Sequence, residues 1–154
     1  PEPADANQFI QGSELEASDM DIQESLSQIL ASKDEFGKLF YDQFLTAHPE
    51  LRRHFESVDM KRQSVQLTTA MMIIERYCAA PTPAVELYLQ YLGTKHHDMG
   101  IAREAYPKWI ASMCDVLSRF HGDQWDSQLE SLWREAFQRT IELMFQGYEQ
   151  HVSV

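Results

Sequence analysis

Six histidines carry most of the coordination chemistry open to this chain: His48, His54, His96, His97, His121 and His151. A zinc centre would want two of them at helical spacing, as in HExxH, with a third ligand elsewhere. No such pattern occurs. His96 and His97 are neighbours, so on a helix they point about 100° apart and do not serve one site together. Val85, Leu89, Leu92 and His96 recur at steps of four, three and four, which is one helical face. His96 is therefore expected inward and His97 toward solvent. An inward histidine on an apolar face is more often a hydrogen-bonded core residue than a ligand, so spacing alone leaves both readings open. Cys78 and Cys114 form no pattern and read as buried free thiols, which fits a reducing compartment.

The elements that must position these groups are all helical in pattern. Residues 1–17 are polar, acidic and aperiodic and read as a flexible leader or linker, in which Phe9 and Ile10 could dock. The domain is expected over 18–154. Ser18 with Asp21 resembles a capping box, and Ile22, Leu26, Ile29 and Leu30 then mark one face. Ser32 with Glu35 reads as a second capping box, ahead of Phe36, Leu39, Phe40, Phe44 and Leu45. Pro49 suits the first turn of a short helix ending near Phe55. A helix from about Met60 to Tyr77 turns Gln63, Leu67, Ala70, Met71 and Ile74 inward. Thr82 and Pro83 open the helix that carries His96, and Gly100 stops it. Pro107 sits early in a helix that ends at Gly122. The last helix repeats Leu129, Trp133, Phe137 and Ile141 at four-residue steps, then Phe145 and Tyr148. Six or seven helical segments and no strand-like alternation predict an all-α domain, and periodicity alone does not separate a bundle from other all-α packings.

Composition narrows the partners. The 154 residues suit one domain, and 44% hydrophobic residues suffice for a core. A net charge of −11 repels phosphate backbones and anionic membrane surfaces, so neither nucleic acid nor membrane is expected as a partner. No apolar run nears the about 18 residues of a membrane span, and no signal peptide opens the chain, so a cytoplasmic location is expected. The first residue is Pro1, which fits a module excised from something longer as well as a processed chain.

The stretch LGTKHHDMGIAREAYPKW resembles the proximal region of bacterial globins related to single-domain bacterial haemoglobins and the globin domain of flavohaemoglobins. Some members place the iron-binding histidine four residues before a glycine followed by an aliphatic residue, then a tyrosine, sometimes with proline after it. Here those features are His96, Gly100, Ile101, Tyr106 and Pro107. FYDQFLTAHPELRRHF resembles the segment leading to the family's ring-packing phenylalanine, which is Phe55. MKRQSVQL resembles the distal helix, with Gln63 and Leu67 toward the ligand. Tyr41, seven residues before the pair His48–Pro49, matches the distal tyrosine. The motifs occur in order over about residues 18–150.

The resemblance implies a globin fold of six to eight helices around a haem pocket, with haem b as cofactor. It implies His96 as the iron ligand, and Phe55, Leu67, Leu92, Ile101, Tyr106 and Phe137 as further contacts of the ring. Tyr41, Gln63 and Leu67 would form the distal pocket. Each distal donor would strengthen oxygen binding by about 1.5–3 kcal/mol, or about 10- to 100-fold. Glutamine ligates iron poorly, so the sixth coordination position is expected to stay open. Two departures stand out. The family's buried glutamate falls on Tyr148, with Glu149 beside it, and Trp109 stands where a smaller aliphatic residue is usual.

The expected function is reversible binding of oxygen, carbon monoxide and nitric oxide, as a single-domain haemoglobin or a gas-sensing module linked to a signalling domain. The alternative is nitric oxide dioxygenation with a separate reductase, because no flavin or nicotinamide fingerprint is present; whether the chain is an enzyme stays open. A haem-free regulatory module is the third reading. Met144, Phe145 and Tyr148 read as core, as a homodimer interface, or as both.

Overall fold

Asp21 opens the first helix by accepting the Glu24 N–H at 2.8 Å, in this computed structural model, which describes residues 20–154. The leader, Ser18, Phe9 and Ile10 lie outside the described residues. Helix α1 (Ile22–Ala31) buries Leu26 and Ile29. Helix α2 (Lys33–Ala47) buries Phe36, Phe40 and Phe44, one turn apart. The expected capping box at its start does not form: Ser32 makes no side-chain cap bond, because α1 runs almost directly into α2 and leaves Ser32 at φ −130°, ψ 39°, away from the extended backbone an N-cap residue takes.

A 3-10 turn (Pro49–Phe55) follows, then α3 (Met60–Ala79), whose N-terminus is capped by the Asp59 carboxylate. Thr82 and Pro83 start α4 (Pro83–Asp98). Gly100, at φ +78°, lets the chain leave α4 in a left-handed turn that side-chain-bearing residues rarely adopt. Helix α5 (Ala105–His121), a short 3-10 turn (Gly122–Gln124) and α6 (Ser127–Gln150) complete the fold. Asp126 caps α6 through the Leu129 N–H at 2.8 Å; such a cap contributes about 0.5–2 kcal/mol. No strand occurs among the described residues, and none of their helices is long and apolar enough to cross a membrane.

The main core gathers α1, α2, α3, α5 and α6 around Trp133, Phe36, Phe40 and Phe137, all essentially inaccessible. Each such side chain contributes about 1.5–3 kcal/mol through burial. Helix α4 leans on α6 and barely touches α3. Its seat is two glycines: a Cβ on Gly93 would collide with the Met144 carbonyl, and one on Gly147 with the Gln90 carbonyl. Thr94 locks this crossing by donating to the Gly147 carbonyl at 2.8 Å. Drawn tightly onto α6, α4 leaves a gap toward α3.

Candidate functional site

His96 stands in the last turn of α4, on the gap side. Its Nδ1 lies 2.7 Å from the Leu92 carbonyl oxygen, one turn back. A carbonyl only accepts, so Nδ1 carries the proton and Nε2 keeps the lone pair of the neutral ring. Among the described residues Nε2 has no hydrogen-bond partner. Burial pushes the His96 pKa below the usual histidine value, and the Leu92 bond opposes this only partly. The ring is therefore neutral near pH 7, the form that ligates metals. His97 is exposed, with Nδ1 3.2 Å from the Asp98 carboxylate.

The gap is a cavity of about 430 Å³, within the roughly 300–1,000 Å³ common for small-molecule sites. Tyr41, Phe55, Gln63, Leu67, Leu92, His96, Ile101, Tyr106 and Phe137 all border it. Across it from α4, the Gln63 side-chain amide donates to the Tyr41 hydroxyl oxygen at 3.0 Å. That bond leaves Tyr41 its own proton to donate. Burial pushes the Tyr41 pKa up to about 12, against the lowering effect of Gln63, so the proton stays on oxygen at neutral pH. The Phe55 ring packs on Tyr41 at 5.4 Å.

Behind His96, Tyr106 and Tyr148 pair at 3.0 Å, and Tyr148 donates to the Ile101 carbonyl at 2.7 Å. With the Tyr148 proton spent there, Tyr106 is the donor within the pair. Burial raises both phenol pKa values, and donation by Tyr106 raises its own further. Glu149 points away to Arg103, 3.4 Å from its guanidinium, and is exposed. The tyrosine–glutamate arrangement of flavohaemoglobins is thus not assembled here; a tyrosine pair stands in its place, because one residue along α6 turns the side chain by about 100°.

Other residues had no place in the site by sequence. Trp109 borders the cavity and packs edge-on against Phe137 at 5.1 Å, so it forms floor. Met144 and Tyr148 are buried within the chain, and Met144 lines the cavity. Its position seven residues after Phe137, two turns along one face, is a signal that could have found it. His54, from the 3-10 turn, is a second histidine on the wall, with no periodic face to mark it. Gly93, Thr94 and Gly147 act through backbone approach, which leaves no hydrophobic pattern.

The residues present fit haem, the group the resemblance implies. Haem needs apolar walls for a large ring and a neutral imidazole on a rigid mount. The walls are mostly aliphatic and aromatic, and His96 offers an unpartnered Nε2 from a helix pinned to α6.

Comparison with known proteins follows the same line. A family model described as Globin matches residues 38–144. No curated protein sequence matches the chain. Among solved structures, a protein of Pseudomonas aeruginosa PAO1, described as structurally highly homologous to a human hemoglobin, is similar with a TM-score of 0.69. The two are 22% identical, over 80% of this chain and 98% of that one, which is a likeness of fold.

Proposed function

This chain belongs to the globin family, and from that premise we propose that it holds haem b in the α3–α4 cavity, with His96 Nε2 as the iron ligand, and binds diatomic gases reversibly. When bound, haem supplies a ferrous iron able to take oxygen, carbon monoxide or nitric oxide. The observation that carries the reading is the His96 ring: Nδ1 fixed by the Leu92 carbonyl, Nε2 free, on the wall of an apolar cavity.

The residues divide the work. Leu92 sets the His96 tautomer and ring angle, as outer partners of metal-bound histidines do. Gly93, Thr94 and Gly147 keep α4 from drifting away from α6. Leu67, Phe55, Ile101 and Phe137 supply apolar walls that exclude water, and Tyr106 flanks His96 with ring centroids 6.3 Å apart. Tyr41 offers a hydroxyl proton to a gas that has gained negative charge, and Gln63 holds the tyrosine oxygen in place. The pair favours tight oxygen retention and slow release. Gln63 in the distal position, rather than a histidine, favours an open sixth coordination position.

Exposed Glu149 weighs against a strongly polarised proximal histidine and so against dioxygenation as the main activity. A haemoglobin or sensing role is the better-supported reading, with any reductase or signalling domain as a separate partner. Absorption spectra of the ferric, ferrous, oxygen-bound and carbon-monoxide-bound protein test it. The expected ferrous form is five-coordinate and high-spin, with a stable oxygen complex. A six-coordinate, low-spin ferrous spectrum without added gas contradicts the open position, and no Soret band after haem addition contradicts the whole reading.

A further inference from the structure

We propose that His97, Asp98 and His151 form a surface site for a divalent transition-metal ion of the zinc class, separate from the cavity. The end of α4 supplies the first two residues and the residue after α6 supplies the third. His97 Nδ1 lies 3.2 Å from Asp98 Oδ1, and the His97 and His151 rings meet edge-on at 4.9 Å. One ligand atom from each residue lies within 4.8 Å of the other two. A tetrahedral ion with bonds of about 2.0–2.2 Å draws its ligand atoms to roughly 3.3–3.6 Å apart. Rotation of exposed side chains covers that difference without moving the backbone.

The third ligand is delivered by an unusual piece of backbone. Among the described residues His151 is the one non-glycine at positive φ, +50°. It caps α6 in the left-handed conformation, its N–H bonded to the Gly147 carbonyl at 3.1 Å. The next residue is tied down as well: the Val152 N–H donates to Thr94 Oγ1, on α4, at 2.8 Å. These bonds fold the end of α6 back onto α4 and set the His151 ring beside His97. The His97 ring is steadied from another side by Tyr148, edge-on at 5.3 Å.

Two imidazoles and one carboxylate suit zinc, cobalt, nickel or copper, whereas magnesium and calcium prefer oxygen donors throughout. Water would complete the coordination, since all three residues are exposed. The acidic surface, at net charge −11, concentrates cations around the site.

Zinc titration by calorimetry on untagged protein tests the proposal, with helicity checked by circular dichroism. One ion per chain is expected. His97→Ala and His151→Ala should each weaken binding by more than about 10-fold, and His48→Ala should leave it unchanged. His151→Gly removes the imidazole while keeping the left-handed cap, so it should also abolish tight binding with helicity intact. Zinc should raise the melting temperature of the parent and not of these three cluster variants. Absence of one-to-one binding, or full affinity in His151→Gly, would show that the cluster is only helix-end packing and would overturn the proposal.

Discussion

Two histidines at opposite ends of α5, His96 half-buried and His121 buried, are finished differently. His121, at the end of α5, has both ring nitrogens occupied: Nε2 lies 2.6 Å from the Ser25 hydroxyl and Nδ1 lies 3.2 Å from the Gln28 amide oxygen. Trp133 completes that network by donating to Ser25 at 3.0 Å. His96 has its Nδ1 occupied by Leu92, with no partner for Nε2 among the described residues. Burial lowers the pKa of both. The difference is that one ring is built into a packed core and the other is left half-bonded on a cavity wall. A ring nitrogen left free on a cavity wall stays available to a bound group, whereas both nitrogens of His121 are spent on packing partners.

The packed side should be the more fragile to truncation. Trp133→Ala removes a fully buried ring and the Ser25 donor together, and should cost about 3–5 kcal/mol in denaturant unfolding. The same network would then hold His121 less firmly, which sharpens the contrast with His96. On the cavity side the expected effect falls on ligand kinetics. Tyr41→Phe deletes the free hydroxyl proton and should speed oxygen release by about 10- to 100-fold, with little change in folding stability. Stopped-flow displacement of oxygen by carbon monoxide reads this directly; an unchanged rate would mean that Tyr41 is only a core tyrosine.

The smallest effect is in the pH dependence of folding. The unfolded chain protonates His121 near its ordinary value of 6.5, and the folded chain only at lower pH. The unfolded state thus binds more protons in that interval, so this stabilisation is present above 6.5 and is lost as pH falls toward the lowered folded value. The slope from one such group is at most about 1.4 kcal/mol per pH unit. Unfolding curves of parent and His121→Gln between pH 7 and 5 should converge as pH falls. Parallel curves would show that His121 is not buried in its neutral form.

The same contrast explains what could be read in the sequence. The signals around His96 are local: Leu89, Leu92 and His96 share a face, Gly100 ends the helix, and Tyr41 and Gln63 fall at recognisable intervals. Helix faces follow from such spacings, and all nine residues picked out for the site border one cavity. The His121 side is not local. Its partner Ser25 is 96 residues away, and nothing around either residue signals the other. The mount of α4 was equally hidden, since Gly93 and Gly147 act by lacking a side chain where two backbones cross. Ser32 shows the opposite failure. Its motif promises a cap, but the tight passage from α1 to α2 holds its backbone away from the extended conformation a cap needs.

We propose above that His96, through Nε2, is the proximal ligand of haem iron. The most direct test is the ferrous absorption spectrum of His96→Gly with and without imidazole in solution, beside the parent and His121→Gly. His96→Gly should lose the five-coordinate histidine-ligated spectrum, imidazole should restore it, and His121→Gly should keep it throughout. A His96→Gly variant that retained the parent spectrum without imidazole, with His54 or another residue supplying the ligand, would contradict ligation by His96.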